Sequence, residues 1–397
     1  MGHRRLHRRP RARSRDGIAG MNTPWSDFWK ADWEQARARH VAWWRREGLV
    51  LNVTALRDGA SDIVPDPHTS TYYLMSGLDT RAPNDHPQAL ADAWLDPARR
   101  ARQAERYLGA IYFGGEAFPY FDTHIGPGSL AMFLGAEPNF DTETVWYRSC
   151  ITDLERHPPL RFDPSNPWFL KQQAIVEAGM ALSRGRFLVG MPDLVENIDV
   201  LASLRDSQTL MVDMVERPTL VRERVAQINQ AYFAAFARLF DIIKDPWGGN
   251  AFSAFAIWGP GKTGKVQCDA AAMISPAMFD DFVVPALSEQ CAWLDYSMFH
   301  LDGTQAMPHL ESLLAIEALD AIEWTPQAGQ PQGGDPKWYG LYRRILDAGK
   351  SVQAVSVRPD EVIPLLDAVG ARGMYVTVSA ESEAEARALV EAVDAYR

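Results

Sequence analysis

The sequence predicts an α/β fold, a (β/α)8 TIM barrel in one domain with an N-terminal helical extension. Two observations point there. Short apolar and β-branched stretches alternate with segments of helical period, the pattern of parallel strands joined by crossover helices. Acidic, amide or aromatic residues follow most of those stretches, and in a barrel the C-terminal ends of the strands carry the chemistry. A doubly wound sheet is the alternative. At 397 residues the chain can bury a core of either kind.

Residues 1–20 hold seven arginines against one acid and lack the apolar centre of a signal peptide. They read as a disordered basic extension. Residues 21–48 form the helical segment, in which Trp25, Phe28, Trp29, Trp33, Trp43 and Trp44 favour a cover over one barrel end rather than a ligand cage. The barrel occupies 49–397. Its first strand is Leu49 to Leu56, followed by Arg57 and a polar loop to about Asn84. A helix from Pro87 to Tyr107 precedes the second strand, Ile111 to Phe113, which ends at Gly114-Gly115-Glu116.

The region from Tyr120 to Pro167 reads as irregular. Arg186 to Gly190 is the third strand, with Asp193, Glu196 and Asn197 just beyond it. A helical stretch, Ser207 to Ile243, leads to the fourth, Phe252 to Trp258, and a helix from Pro276 to Leu294 leads to the fifth, Tyr296 to Leu301. Ala321 to Trp324, Ser351 to Val357 and Met374 to Val378 complete the eight, with helices at Lys337 to Ala348, Pro359 to Val369 and Ser382 to Tyr396.

His300 and Asp302 share one face at the end of the fifth strand. If the barrel closes, Arg57, Glu116, Asp193, Asn197, Trp258, Glu323 and Trp324 converge with them on an acidic, aromatic pocket. Crowded carboxylates there either split into an acid and a base or join His300 around a divalent metal. On their own, Glu196 and Glu323 read equally well as an exposed carboxylate rim. The two tryptophans suit a sugar or a quaternary ammonium, or simply the core.

Composition narrows the functions. A net charge of −11 without a basic stripe argues against nucleic acid. No apolar run is long enough for a membrane span. Three cysteines without a CxxC pair indicate neither a disulfide framework nor a zinc knuckle and fit a reducing cytoplasm. Gly259-Pro260-Gly261-Lys262-Thr263-Gly264-Lys265 has P-loop spacing, but Val266 replaces the hydroxyl residue and no amphipathic helix follows. It reads as a flexible loop at the barrel mouth, with no nucleotide bound.

Gln267-Cys268-Asp269 through Met273-Ile274-Ser275-Pro276-Ala277-Met278-Phe279, the helix onward to Pro285, Phe299-His300-Leu301-Asp302-Gly303, Ala321-Ile322-Glu323-Trp324 and Ala348-Gly349-Lys350 together resemble the uroporphyrinogen decarboxylase superfamily, over about residues 185–397. That superfamily includes methyltransferases serving corrinoid proteins. The chain departs from the true decarboxylases in having only Arg57 where they carry an arginine-rich loop, Gly115-Glu116 where they place a catalytic aspartate, and no Gly-His-Gly in Tyr375-Val376-Thr377-Val378-Ser379. An acidic pocket is also ill suited to a polycarboxylate. From the zinc-dependent methyltransferases it departs by Asp302 in place of a cysteine and Val378 or Ser379 in place of another.

The resemblance implies methyl transfer from a small neutral or cationic polar substrate to a corrinoid on a partner protein, and a homodimer. In that reading His300 and Asp302 bind zinc or a similar divalent ion or act as an acid-base pair. Glu116 and Asp193 are further catalytic carboxylates, while Arg57, Tyr120, Asn197, Trp258, Glu323 and Trp324 contact substrate. The alternatives are a carboxylate-pair hydrolase or lyase on a sugar-like compound, a uroporphyrinogen-type decarboxylase, and a non-catalytic binding barrel.

Overall fold

The computed structural model describes residues 25, 27–60, 63–64, 71–78 and 87–397. The basic extension at 1–20 and much of the loop before Asn84 lie outside the described residues. The strands are β1 (Val50–Leu56), β2 (Ile111–Gly115), β3 (Tyr120–Phe121), β4 (Glu137–Phe140), β5 (Val145–Arg148), β6 (Leu188–Val189), β7 (Asn250–Phe252), β8 (Ile257–Gly259), β9 (Thr263–Gln267), β10 (Tyr296–Asp302), β11 (Ala321–Thr325), β12 (Ser351–Ala354) and β13 (Met374–Ser379). The main sheet runs β2-β1-β13-β12-β11-β10-β9. Every neighbouring pair in it is parallel except β1 with β2.

The curved arrangement continues beyond β9 by other means. The Asn250 amide bonds both the N–H and the C=O of Thr263, at 2.9 and 3.0 Å, in place of a backbone ladder. Met191 bridges to Phe252 in parallel, and β6 pairs in parallel with β3. The result is TIM-barrel-like, with no continuous ladder closing the ring among the described residues.

Several expected elements change. The stretch expected as the second barrel strand, Ile111–Phe113, belongs to β2 and runs antiparallel to β1. Gly115 allows the close crossing: its φ is +59°, and a Cβ there would lie 2.3 Å from the Leu51 carbonyl oxygen. Its barrel place passes to β3, in the region read as irregular. The expected fourth strand folds back on itself as the β7–β8 hairpin, with Ala256 at φ +53°. The P-loop-like segment is no flexible loop, because Thr263 onward is the buried strand β9.

The long helices also break at prolines. Pro97 starts a new helix behind Asp96, whose carboxylate accepts from Arg99 N–H. Pro218 restarts the one after Glu216.

The helix Trp33–Trp44 buries Trp33, Ala36, His40, Trp43 and Trp44, one stripe at helical spacing, against the N-terminal ends of the strands. Trp43 donates to the Gly373 carbonyl at 3.0 Å and Trp44 to the Trp258 carbonyl at 2.8 Å. Among the described residues no helix is long and apolar enough to cross a membrane.

His40 is fully buried in this layer, and burial lowers its pKa to about 4 despite a 3.0 Å bond to the Glu116 carbonyl. An unfolded histidine titrates near ~6.5. Between those values the unfolded chain binds a proton that the native state refuses, so stability falls as pH drops from about 6.5 toward 4. At pH 5 the loss from this residue is about 2 kcal/mol. Urea midpoints at pH 7 and pH 5 should therefore differ less in His40→Gln than in the parent, and an equal difference would show that His40 is not responsible.

Candidate functional site

Strand alternation sets the interior. The register aligns Gln267 with His300, His300 with Glu323, Glu323 with Gln353 and Gln353 with Tyr375, so these side chains face inward in one row that starts at the C-terminal end of β9 and reaches the beginning of β13. Lys265, two residues before Gln267, shares that face.

The charged half of the row lies on β9, β10 and β11. His300 Nδ1 is hydrogen-bonded to Glu323 Oε2, and Glu323 Oε1 accepts from the Thr325 hydroxyl at 2.6 Å. Burial opposes protonation of His300, but the Glu323 carboxylate outweighs it and the imidazole pKa is raised. Because Nδ1 is engaged, Nε2 is left for a ligand. Asp269, His300 and Asp302 each offer one donor atom, and the three lie within 4.8 Å of one another.

Beside them Lys265 is buried and pairs with Asp193 at 2.8 Å. Burial opposes its charge, but Asp193 and Glu196 hold its pKa above the ordinary value.

A tight segment after β6 clamps this arrangement. Glu196 accepts from Gln267 N–H, and Asn197 donates to the Gln267 carbonyl at 2.7 Å. Asp199 accepts from the Asp269 and Ala270 amides at 2.8 and 2.9 Å. The segment is strained, with Val195 at φ +56° and Asn197 at φ +46°, which for a β-branched residue costs on the order of 1–3 kcal/mol. Burial pushes Glu196 well above the usual carboxylate range, and burial together with Asp269 raises Asp199 to about 6.

The structure thus brings together His300, Asp302, Glu323, Asp193 and Asn197. Glu196 and Glu323 are fully buried, not an exposed rim. Tyr120 lines a separate cavity of about 740 Å³ at the same end of the barrel.

Four expected site residues lie elsewhere. Glu116 sits at the opposite end, where it accepts from Leu51 N–H at 2.7 Å and pairs with Arg39 at 2.6 Å and Arg397 at 3.0 Å. The antiparallel course of β2 carries it there. Arg57 turns behind β2, its guanidinium bonded to the Ile111 carbonyl at 3.1 Å. Trp258 donates to Asp245 at 2.6 Å and packs edge-on to Trp33 under the N-terminal helix. Trp324 packs on Trp338 outside the sheet, since alternation places it on the face opposite Glu323.

Lys265 and Asp269 were missed as site residues. The signal for Lys265 was the alternation of Thr263, Lys265 and Gln267, polar side chains on one face of a short strand.

Fold and site define an α/β, barrel-like protein with a charged centre at its strand ends. No family model matches the chain, and no curated protein matches it. Among solved structures a methyltransferase from Methanosarcina mazei is similar, with a TM-score of 0.55 at 13% identity, covering 91% of this chain and 98% of that one. At that identity the likeness is one of fold, and it favours the barrel-like reading over the doubly wound one.

Removing one member of a buried pair leaves an uncompensated charge. Lys265→Met should lower unfolding stability by about 3 kcal/mol. Combined with Asp193→Asn it should cost clearly less than the two single losses added. Strict additivity in urea unfolding would show that the pair is not coupled.

Proposed function

We propose that this chain is a metal-dependent enzyme that transfers a methyl group from a small polar substrate, with Asp269, His300 and Asp302 holding a divalent ion. One observation carries the reading: the ligand atoms of Asp269, His300 and Asp302 converge within 4.8 Å, and a buried carboxylate holds the imidazole at Nδ1. That relay is what orients metal-binding histidines. One imidazole and two carboxylates suit a hard or borderline cation, zinc included. Cys268 is not among the three converging donors, and burial pushes its thiol up.

A divalent ion bound there would supply a positive centre to polarise or orient a substrate atom. The chain's own groups do the rest. Glu323 fixes the His300 tautomer, Lys265 offsets the crowded carboxylates, and Asp193 keeps Lys265 in place.

Methyl transfer is the reaction named for the protein of similar fold, and the superfamily resemblance implies a corrinoid on a partner protein as acceptor. Six carboxylates, Asp193, Glu196, Asp199, Asp269, Asp302 and Glu323, surround two cationic groups, Lys265 and His300. That excess argues against a polycarboxylate porphyrinogen.

A second reading rests on Asp199 and Asp269. Burial raises both carboxyls, Asp199 to about 6, and such a pair suits acid-base hydrolysis or elimination on a neutral substrate.

Elemental analysis of the purified protein should find about one divalent ion per chain and none in Asp269→Ala or His300→Ala. Glu323→Gln should weaken binding by roughly 10–100-fold. Since the His300 and Asp269 pKa values are raised, the ion displaces protons, and calorimetric affinity should increase from pH 6 to pH 8. Reduced free cobalamin, whose spectrum changes on methylation, then reads transfer from candidate donors. A metal-free parent that takes up no added zinc or manganese would sink the metal reading and leave the Asp199–Asp269 pair.

A further inference from the structure

The tip of the β7–β8 hairpin, residues 253–256, inserts into the barrel interior and is held there by its backbone carbonyls. Tyr120 donates to the Ser253 carbonyl at 3.0 Å, Gln353 to that of Phe255 at 2.9 Å, and Tyr375 to that of Ala256 at 2.6 Å. Three strands thus grip one turn, and the turn presents Phe255, whose ring centroid lies 4.9 Å from that of His300. On one side of Phe255 is the charged centre. On the other is the cavity of about 740 Å³, which Phe255 also lines.

The two compartments differ in chemistry. Among the described residues the inner wall of the cavity is uncharged: Asn52, Thr54, Thr71, Gln353, Thr377 and Ser379 supply amides and hydroxyls, together with Met75 and Val357. The charged groups bordering it are at the rim and carry a net negative charge, with Arg358 already paired to Asp360 and Glu361. Such a rim repels anions, and among the described residues no carboxylate lies on the inner wall to neutralise a cation.

Gln353 is completely buried, and its Oε1 has no hydrogen-bond partner while its Nε2 is committed to Phe255. Its amide instead fixes the wall between Phe255 and Thr377, two residues that line the cavity with it.

We infer that this cavity binds the body of an uncharged, hydroxyl-bearing small molecule, with Phe255 as the wall that separates it from the charged centre. The inference rests on the proposed function in taking the two compartments as parts of one site, and it narrows the substrate from neutral or cationic to neutral. It does not depend on the metal, because no Asp269, His300 or Asp302 atom lines the cavity.

The test is ligand-observed NMR and calorimetry on the full chain with three probe sets: myo-inositol and methyl glucoside, choline and tetramethylammonium, and citrate. The neutral polyols should bind, and the near-isosteric pair Thr54→Val with Thr377→Val should weaken them by at least about tenfold through the loss of two hydroxyl partners. Circular dichroism establishes that the double variant is folded. Binding should persist after the protein is stripped of divalent ions with EDTA, so that a failed metal experiment and a failed cavity experiment are told apart. The inference is overturned if neither polyol binds, if choline or citrate binds as tightly, or if the folded double variant binds unchanged.

Discussion

The end of strand β9 has side chains where a strand normally has a neighbour. Its Gln267 amide and carbonyl are taken by Glu196 and Asn197, and the next amides by Asp199. A buried peptide group left without a partner costs about 1–3 kcal/mol, so this clamp is what permits the ladder to stop at β9 without penalty. It also explains the backbone strain beside it. Val195 and Asn197 hold left-handed conformations because three acceptors and donors must reach one short segment. Asp269 is placed by the same bonds, and with it one third of the candidate metal group.

The clamp has an electrostatic consequence. Buried carboxylates used as hydrogen-bond acceptors bring charge that burial penalises, and Glu196 and Asp199 respond with raised proton affinity. Lys265 is the local compensation and stays charged because Asp193 and Glu196 surround it. Charge is therefore concentrated on β9 to β11, whereas β12, β13 and β1 turn neutral amides and hydroxyls inward. The hairpin tip with Phe255 stands on the boundary. A site divided in this way can hold a reactive charged centre next to an uncharged ligand without placing either in the other's surroundings.

The strands from Tyr296 to Ser379 were legible in the sequence because each is a short apolar run between turn residues, and their order follows from parallel pairing of successive strands. His300, Asp302 and Glu323 could be read from strand-end position alone. Glu116 could not, because composition marks Ile111 to Gly115 as a strand without giving its direction, which depends on a glycine crossing over Leu51. Trp258 was placed by its strand, yet the strand proved to be half of a hairpin. Trp324 cannot share a face with Glu323, because successive side chains of a strand alternate. Lys265 was hidden by glycines that imitate a phosphate loop. Local sequence does not reveal that an asparagine 13 residues earlier supplies the bonds that make the segment a strand.

A shared barrel-like architecture does not carry a reaction with it, so the weight of any functional reading falls on His300. Its two nitrogens have different tasks fixed by different neighbours. Glu323, without solvent exposure, holds Nδ1, which leaves Nε2 as the free nitrogen of the residue that Asp269 and Asp302 adjoin. If the pair were only a structural hydrogen bond, burying a carboxylate beneath an imidazole would be an expensive way to join β10 to β11, which already share a parallel ladder. The cost is understandable if the imidazole must keep one tautomer and one orientation at the strand ends. That requirement is common to a metal ligand and to an acid-base catalyst, and the convergence of the Asp269 and Asp302 carboxylates beside it favours the first.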